Sequence, residues 1–560
     1  MLVRKINVVV GIVLLIVTSC SIIGYNPKRK TPARAGTYPK FTEADTLKGA
    51  FGKYRKNNDV FYYNLNLAMD IENQTISGSV AMYFTALEDL DTIQIDLYKN
   101  MEINKITFED KQLSFDRKFD AVFVKFDNTI QKDERFKIIV DYSGKPQIAK
   151  RPPWEGGFVW KKDKNKKPWI SVACENDGAS LWWPVKDHLN DEPDSLTFSM
   201  TIPEGLYCVS NGRLKEKSNV DGKLKFTWHT SYSINTYNVT FYVGDYSHFQ
   251  LPYYSNASVN FLDFYVLPYN LEKAKTQFEQ AITAIRTYEE AFGEYPWWRD
   301  GYKLVEGPFE GMEHQTAIAY GSGFKNDAFL YDFDYIIIHE TAHEWWGNSV
   351  TASDYAEIWL HEGFATYSEA IFVEKNWSYF DYLKYIDFET RFVRNKRPLI
   401  GPYGVNYWKY KDTDAYMKGA ALLHTLRNAI ADDDLFYSIL KEFYKRNKYS
   451  IATTESFINL VNEMTGDDYQ WFFDIYLYSR VCPELEWSYY ENKKDNTWEF
   501  KYKWSNVSSD FKLPIEINAM DRLFKLYPTT TTQTEILFRG GKIYINPKHS
   551  YFSIKENPKL

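Results

Sequence analysis

The sequence predicts a chain of three folded domains: an antiparallel β domain, a mixed α+β domain that becomes largely helical, and a small β-sandwich. Three observations lead to this prediction. The chain has 560 residues, too many for one ordinary domain. Apolar residues alternate with a period of two in the first and last parts of the chain. Between them, from about residue 271 to residue 480, apolar residues recur at helical spacing.

The first β domain is assigned to residues 46–250. In its first run, Phe61, Tyr63, Leu65, Leu67 and Met69 fall on one face, as in a half-buried strand. Similar runs follow, separated by turn residues: "GSVAMYFTA", "DTIQIDLY", "FKIIVDY" and "YNVTFYVGDY". Short alternating strands separated by turns are typical of an antiparallel sheet.

The middle domain is assigned to residues 251–482 and the last domain to residues 483–560. The segment "LEKAKTQFEQAITAIRTYEEAFG" predicts a helix that begins at Leu271, and Gly293 can end it. A strand-like stretch follows from Tyr302 to Tyr320, and helical patterns then dominate. After Pro483 the alternation returns in "LEWSYYE", "TWEFKYKW" and "TEILFRGGKIYINP", which predicts a small β-sandwich-like domain.

The N-terminus has the features of an export signal rather than of a folded domain. Arg4 and Lys5 precede an apolar stretch of 12 residues, too short to span a bilayer. Cys20 follows small residues and resembles a bacterial lipoprotein processing site. We therefore expect a signal peptide at 1–19, a lipidated tether at 20–45, and an exported lipoprotein in the cell envelope or at the cell surface, anchored to the membrane through Cys20. An ordinary signal peptide with an incidental cysteine is the alternative.

The composition and net charge of the chain argue against some classes of function. The chain is 44% hydrophobic and 18% aromatic, which is ample for large cores, so disorder is not expected beyond the first stretch. The formal net charge of -7 argues against nucleic-acid binding, which needs a clustered basic face. Cys174, Cys208 and Cys482 lack the spacing of a disulfide framework and are expected to be core thiols.

The segment "HETAHEWWGN" carries a candidate metal site. A helix is expected to start near Asp332 or Asp334 and to end near Gly347 and Asn348. His339 and His343 are four residues apart and therefore project from one face of this helix. Two imidazoles on one helix face can bind zinc, and Glu340 is close enough to contact a metal-bound water without being a ligand. The alternative is a helix whose histidines are merely packed.

A hydrolytic zinc site needs three protein ligands and one open position. A second predicted helix, residues 356–374, follows a short loop and can fold back beside the first. It contains Glu362, which would complete a site of two histidines and one glutamate. The neighbouring His361 is the rival ligand, but one step along a helix points a side chain about 100° away.

The frame "HETAHEWWGN" followed by "WLHEGFA" resembles the gluzincin aminopeptidases of the aminopeptidase N and leukotriene-hydrolase type. Three other stretches are also similar to that family: "FEGMEHQTAIAYG", "AYMKGAALLH" and "ACENDGASLWWP". The resemblance covers nearly all of residues 46–560. It implies a thermolysin-like catalytic domain, one Zn²⁺ per chain, and peptide substrates with a free N-terminus.

The resemblance also implies roles for single residues. Glu313 matches the family's residue that grips the substrate α-ammonium, Glu175 the second amine-binding position, and Tyr416 the tyrosine that steadies the reacting carbonyl oxygen. Gly311 and Met312 belong to the strand that contacts substrate. Glu340 would be the general base.

Three positions depart from the family pattern. Glu310 replaces the first glycine of the Gly-x-Met-Glu-Asn strand, His314 replaces its asparagine, and Glu344 stands where glutamine is usual. The pattern as a whole predicts a zinc aminopeptidase. The alternatives are a zinc hydrolase of other specificity, such as an epoxide hydrolase or an endopeptidase, and a non-catalytic binding lipoprotein.

Overall fold

The computed structural model describes residues 36–255, 258–326, 328, 331–407, 413–492, 494, 497–519, 522–538 and 543–560. Within them the order of a β part, a mixed α and β part and a second β part is the one that the sequence predicts, so the fold class is confirmed. The chain forms two compact units, one that ends at Val481 and one that begins at Cys482. Cys20 and the predicted signal peptide lie outside the described residues.

The last part of the predicted tether is structured. Helix α1 (Glu43–Gly49) begins with a capping box, in which the Thr42 hydroxyl accepts from Asp45 N–H and the Asp45 carboxylate accepts from Thr42 N–H. The short helix α2 (Lys53–Lys56) follows. Among the described helices, none combines the length and apolar character needed to cross a bilayer.

The β part of the first unit contains three sheets. Its strands are β1 (Asn58–Asp70), β2 (Thr75–Ala86), β3 (Leu90–Asp96), β4 (Met101–Phe108), β5 (Lys111–Gln112), β6 (Ser114–Lys118), β7 (Ala121–Ile130), β8 (Arg135–Gly144), β9 (Gly157–Lys162), β10 (Pro168–Ala173), β11 (Ser195–Pro203), β12 (Tyr207–Ser210), β13 (Arg213–Val220), β14 (Lys223–Thr230) and β15 (Phe241–Gly244). The sheet orders are β13-β14-β11-β1-β2-β8-β4-β5, β3-β7-β6 and β12-β15-β10-β9. All pairings in these sheets are antiparallel except that of β1 with β11.

The mixed part of the first unit begins with a five-stranded sheet. Its elements are β16 (Ser247–Tyr254), β17 (Val259–Val266), α3 (Leu271–Gln277), α4 (Gln280–Phe292), β18 (Tyr302–Glu306), β19 (Gly311–Met312), β20 (Ile318–Tyr320), α5 (Tyr335–Ala342), β21 (Val350–Ala352), α6 (Trp359–Asn376), α7 (Tyr379–Thr390), α8 (Asp414–Ile430), α9 (Asp433–Asn447), β22 (Ser450–Ala452), α10 (Thr454–Thr465) and α11 (Gln470–Leu477). The sheet order is β16-β17-β18-β20-β19, which places β19 at an edge. The boundary predicted at residue 250 falls within β16.

Local differences from the sequence-based expectations have physical causes. The helix expected from Leu271 to Gly293 is two helices, α3 and α4, because the chain breaks between them at Phe278, whose ring packs against Phe249 and Tyr320. Gly293 does end α4, with φ 125°, a conformation that favours glycine. Helix α5 ends at Ala342, earlier than expected, and His343 follows it in the same right-handed conformation.

Helices α6 and α8 approach each other closely at two glycines. A Cβ atom on Gly363 would lie 2.8 Å from the Gly419 Cα, and one on Gly419 would lie 2.6 Å from the Gly363 Cα. Neither position has room for a side chain. This contact places Glu362 of α6 near Tyr416 of α8.

The second unit contains two small sheets. Its strands are β23 (Glu484–Asn492), β24 (Thr497–Ser505), β25 (Ile515–Ala519), β26 (Arg522–Leu526), β27 (Gln533–Phe538), β28 (Ile543–Ile545) and β29 (Ser553–Glu556). The sheet orders are β27-β24-β23-β29 and β26-β25-β28. The buried Trp504 contacts Phe511 and Phe552 in the core of this unit.

Candidate active site

Three potential metal ligands converge between α5 and α6. The Nε2 atoms of His339 and His343 are 3.2 Å apart, and Glu362 Oε2 lies 3.6 Å from the first and 3.4 Å from the second. In a tetrahedral zinc site with bonds of about 2.0–2.1 Å, neighbouring ligand atoms are about 3.3 Å apart. All three side chains are buried. The residues therefore fit a zinc ion in both donor type and spacing.

The second nitrogen of each imidazole is used by the protein. His339 Nδ1 lies 2.6 Å from Glu369 Oε1, and His343 Nδ1 lies 2.9 Å from the Trp346 carbonyl oxygen. Both acceptors require a proton on Nδ1, which leaves the Nε2 lone pairs directed at the shared centre. Burial alone would raise the pKa of Glu362, but the neighbouring imidazoles outweigh it and lower that pKa. Glu362 is thereby kept anionic, as a metal ligand must be.

His361, the rival ligand, points elsewhere. Its Nε2 accepts a hydrogen bond of 2.8 Å from Ala352 N–H in β21. Burial lowers the pKa of His361 to about 3, so the imidazole is neutral. It supports the backbone beside the site and does not join the three converging ligand atoms.

Glu340 faces the cavity from the turn of α5 between the two histidines. Burial raises its pKa to about 8, against the opposing effect of His339. Gly311 in β19 leaves room for this carboxylate, because a Cβ atom at position 311 would lie 2.5 Å from Glu340 Oε1. A glycine is thus needed at 311 if Glu340 is to keep its place.

Two further carboxylates line the same cavity. Glu313 follows β19, and Glu175 lies in the loop after β10. Burial, followed by the charge of Glu313, raises the pKa of Glu175 well above its ordinary value. Tyr355 donates a hydrogen bond to the Glu175 carbonyl oxygen and so holds that loop. Both positions that the sequence singled out for amine binding are therefore in the same cavity as the histidines.

Tyr416 lies against the candidate metal centre. Its ring is 6.0 Å from that of His339 at 22°, and Tyr335 stacks on the same imidazole at 5.4 Å and 26°. Burial, followed by the charge of Glu362, raises the pKa of Tyr416 well above its ordinary value. The phenol of Tyr416 is therefore protonated and able to donate a hydrogen bond.

These residues surround one cavity of about 170 Å³. Its lining consists of Pro153, Trp154, Glu175, Glu310, Gly311, Met312, Glu313, Tyr335, Ile336, His339, Glu340, His343, Glu362 and Tyr416. The lining among the described residues has five glutamates and no lysine or arginine. A cavity of this charge favours cations, namely a metal ion and an ammonium group.

Two of the three departures from the family pattern have structural roles. Glu344 Oε1 accepts a hydrogen bond of 2.8 Å from Thr316 N–H, in the loop after Glu313, and burial raises the pKa of Glu344 to about 8. His314 Nδ1 contacts the Tyr242 hydroxyl at 2.7 Å, and burial lowers the pKa of His314 to about 3. Glu310 lines the cavity.

Sequence reasoning missed several residues of this site. Glu369 lies seven residues after Glu362, and Tyr335 four residues before His339, so helical spacing could have placed both on the faces directed at the site. Trp154 lies in a loop between strands and has no pattern that points to the cavity.

Two family models match the chain. Residues 277–476 match the "Peptidase family M1 domain", and residues 60–238 match the "Peptidase M1 N-terminal domain". Together they cover more than half of the chain and include every residue that lines the cavity.

Curated relatives are similar over most of this chain. "Aminopeptidase 2" of Candida albicans is 24% identical over 450 residues, which are 74% of this chain and 46% of that protein. "Puromycin-sensitive aminopeptidase" of Caenorhabditis elegans is 24% identical over 449 residues, which are 73% of this chain and 45% of that protein. The chain thus spans about half the length of these relatives.

A solved structure has the same fold. The M1 zinc metallopeptidase of Deinococcus radiodurans matches with a TM-score of 0.65 and 20% sequence identity, over 78% of this chain and 97% of that one. A mutant of that protein, solved with a bound Tyr-Ser-Ala substrate, matches with a TM-score of 0.64 over 76% of this chain and 96% of that one.

Proposed function

Because the chain belongs to peptidase family M1, we propose that it is a zinc-dependent aminopeptidase that removes residues from the N-termini of peptides. The observation that carries the proposal is the single cavity in which three ligand atoms at zinc spacing face two further carboxylates. The ligands account for hydrolysis, and the carboxylates account for selection of a free amine.

His339, His343 and Glu362 would hold the zinc. When bound, zinc supplies an acidified water and an electrophile for the peptide carbonyl. Glu369 and the Trp346 carbonyl fix the tautomers of the two imidazoles, so the ligand set is prepared before the metal enters.

Glu340 would move the proton. Its carboxylate takes a proton from the attacking water and passes it to the nitrogen of the leaving amine. Burial keeps its basicity high, in line with the raised pKa. Tyr416 donates its phenolic proton in a hydrogen bond to the oxygen of the attacked carbonyl, where negative charge develops.

Glu313 and Glu175 would bind the substrate ammonium. A charge-assisted hydrogen bond between ammonium and carboxylate is stronger than a neutral one, and more so in a buried site. The same two charges disfavour the interior of a peptide, whose neutral amide would leave them unpaired. The site therefore favours cleavage after the first residue of a chain.

A panel of aminoacyl fluorogenic substrates tests this function. We expect turnover of substrates with a free amine, its loss with a zinc chelator, and its return when zinc is added. Faster turnover of N-blocked internal peptides would identify an endopeptidase, and turnover of epoxides alone an epoxide hydrolase. A zinc-loaded protein that turns over none of them would be a binding protein.

We also propose that the enzyme is exported and held at the membrane by lipid on Cys20. The support is the sequence alone: a basic start, a short apolar stretch, and small residues before the cysteine. The substrates would then be peptides of the cell envelope or the surroundings.

A further inference from the structure

The carboxylate of Glu313 receives a hydrogen bond from the N-terminal β part of the chain. Tyr237 lies in the 3-10 turn Thr236–Asn238, between β14 and β15. Its hydroxyl is 3.0 Å from Glu313 Oε1. Tyr237 is 1% exposed and Glu313 4% exposed, so water does not compete for the contact. Within the described part of the chain, no other side chain donates a hydrogen bond to this carboxylate.

The turn that carries Tyr237 is itself held on two sides. Asn235 Oδ1 accepts from the Tyr237 N–H at 3.2 Å. The Cys174 thiol donates to the Tyr237 carbonyl oxygen at 3.3 Å. Cys174 immediately precedes Glu175, so one turn contacts the segments of both carboxylates that are proposed to bind the substrate amine.

The backbone of Glu313 is linked to the same turn. The Asn348 side-chain amide donates to the Glu313 carbonyl oxygen at 2.8 Å, and Asn238 donates to Asn348 Oδ1 at 2.7 Å. Asn348 lies in the loop after α5, five residues beyond His343. The carboxylate and the carbonyl of Glu313 are therefore both fixed relative to the turn and to the candidate metal centre.

We propose that Tyr237 is a positioning residue for substrate recognition: its hydroxyl fixes the Glu313 carboxylate so that the remaining acceptor sites face the substrate ammonium. The inference rests on the proposed aminopeptidase function and deepens it, since it gives the β part a role in recognising the N-terminus of the substrate. Tyr237 is not among the residues that line the cavity. It donates throughout the working pH range, because burial and the charge of Glu313 raise its pKa well above the ordinary value.

The test is the Tyr237→Phe variant, which removes one oxygen atom and keeps the ring. The measured quantity is the ratio of kcat/KM for a free-amine aminoacyl substrate to that for its N-acetylated form. We expect this ratio to fall by roughly tenfold or more, the loss typical of one hydrogen bond to a charged group. Zinc content should not change, because the ligands and their supports are untouched.

Tyr142→Phe is the matched control. Tyr142 is a fully buried tyrosine of β8 whose hydroxyl donates to the Trp182 carbonyl oxygen at 3.0 Å, and it does not line the cavity. Its variant should lose a comparable amount of thermal stability and leave the ratio unchanged. The Asn235→Ala variant loosens the turn but keeps the phenol, so it should lower the ratio by a smaller factor. It replaces Tyr237→Phe as the test if that variant does not fold.

A double-mutant cycle separates positioning from a general structural effect. In the Glu313→Ala background, Tyr237→Phe should change the ratio by less than about twofold, because the carboxylate that the Tyr237 hydroxyl contacts is gone. An equal fall in both backgrounds, or no fall with Tyr237→Phe in the parent, would overturn the inference. A parent enzyme that does not prefer the free amine would instead overturn the proposed function, so the two failures are distinguishable.

Discussion

Glu340 in α5 and His343, which directly follows that helix, line the same cavity but have different proposed chemical roles. His343 supplies one of three converging ligand atoms, whereas Glu340 faces the same space without being one of them. Gly311 keeps that space open for the Glu340 carboxylate. At the scale of single residues, the proposed roles are therefore distinct: His339, His343 and Glu362 hold the metal, and Glu340 moves a proton.

Glu340→Gln tests this separation. We predict that the variant retains zinc and loses at least about 100-fold in kcat, since it removes the base but not a ligand. His343→Ala is the companion variant and should lose the zinc itself. Metal analysis and steady-state kinetics check both. Near-normal turnover in Glu340→Gln, or full zinc occupancy in His343→Ala, would contradict the assignment.

Much of the site was predictable at the residue scale because its signals are local. Two histidines four apart, and a glutamate on the next helix, follow from helical geometry. The contact between Tyr237 and Glu313 joins residues 76 apart in sequence, on elements whose docking no local pattern specifies. Contacts of that kind depend on how the β part packs against the mixed part, so the sequence alone did not predict this one.

The pairing of α6 with α8 is the element-scale contact on which the site depends. One helix carries Glu362 and the other Tyr416, and the two touch through Gly363 and Gly419. Any side chain at either glycine must push the helices apart. The geometry of the site is thus set partly by the absence of two side chains.

Gly419→Ala tests the importance of this approach. We predict a loss of about 1–3 kcal/mol in the free energy of unfolding, as is usual for overpacking, together with reduced kcat. Gly52→Ala is the control, because a Cβ atom at Gly52 would meet nothing within 4 Å. Denaturant unfolding and kinetics measure both effects. Unchanged stability and turnover in Gly419→Ala would show that the helices do not need this contact.

Element boundaries were harder to predict than element types. Apolar spacing runs on without interruption from Leu271 to Gly293, so it could not reveal the break at Phe278. That break follows from packing of the Phe278 ring against two strands, β16 and β20. The capping box at Thr42 and Asp45, by contrast, was readable from the sequence, and it ends the predicted tether earlier than composition suggested.

At the scale of the whole molecule, the candidate site is built by both parts of the first unit. The β part contributes Glu175 and Tyr237, and the mixed part contributes the metal ligands and Glu340. The second unit is a separate set of small sheets. The proposed membrane anchor, Cys20, lies outside the described residues, near the N-terminal end of the sequence.

Cys20→Ala tests the proposed anchor. We predict that the wild-type chain fractionates with membranes in a bacterial host and that the variant is released, because one terminus bearing several acyl chains binds firmly whereas the bare chain does not. Fractionation followed by immunoblotting measures the distribution, with Cys208→Ala as a control that keeps Cys20. A variant that stays with the membrane fraction would show that lipid on Cys20 is not the anchor.

The central claim, that this is an aminopeptidase, is tested most directly by Glu313→Ala with a matched pair of substrates, one with a free amine and one N-acetylated. Truncating one partner of a buried, charge-assisted pair costs about 2–5 kcal/mol. We therefore predict a fall of roughly 30-fold or more in kcat/KM for the free-amine substrate, at about 1.36 kcal/mol per factor of ten. The acetylated substrate should be poor for the parent enzyme and lose little further. An equal fall for both substrates would contradict the account, because Glu313 would then support the fold or the metal site without reading the N-terminus.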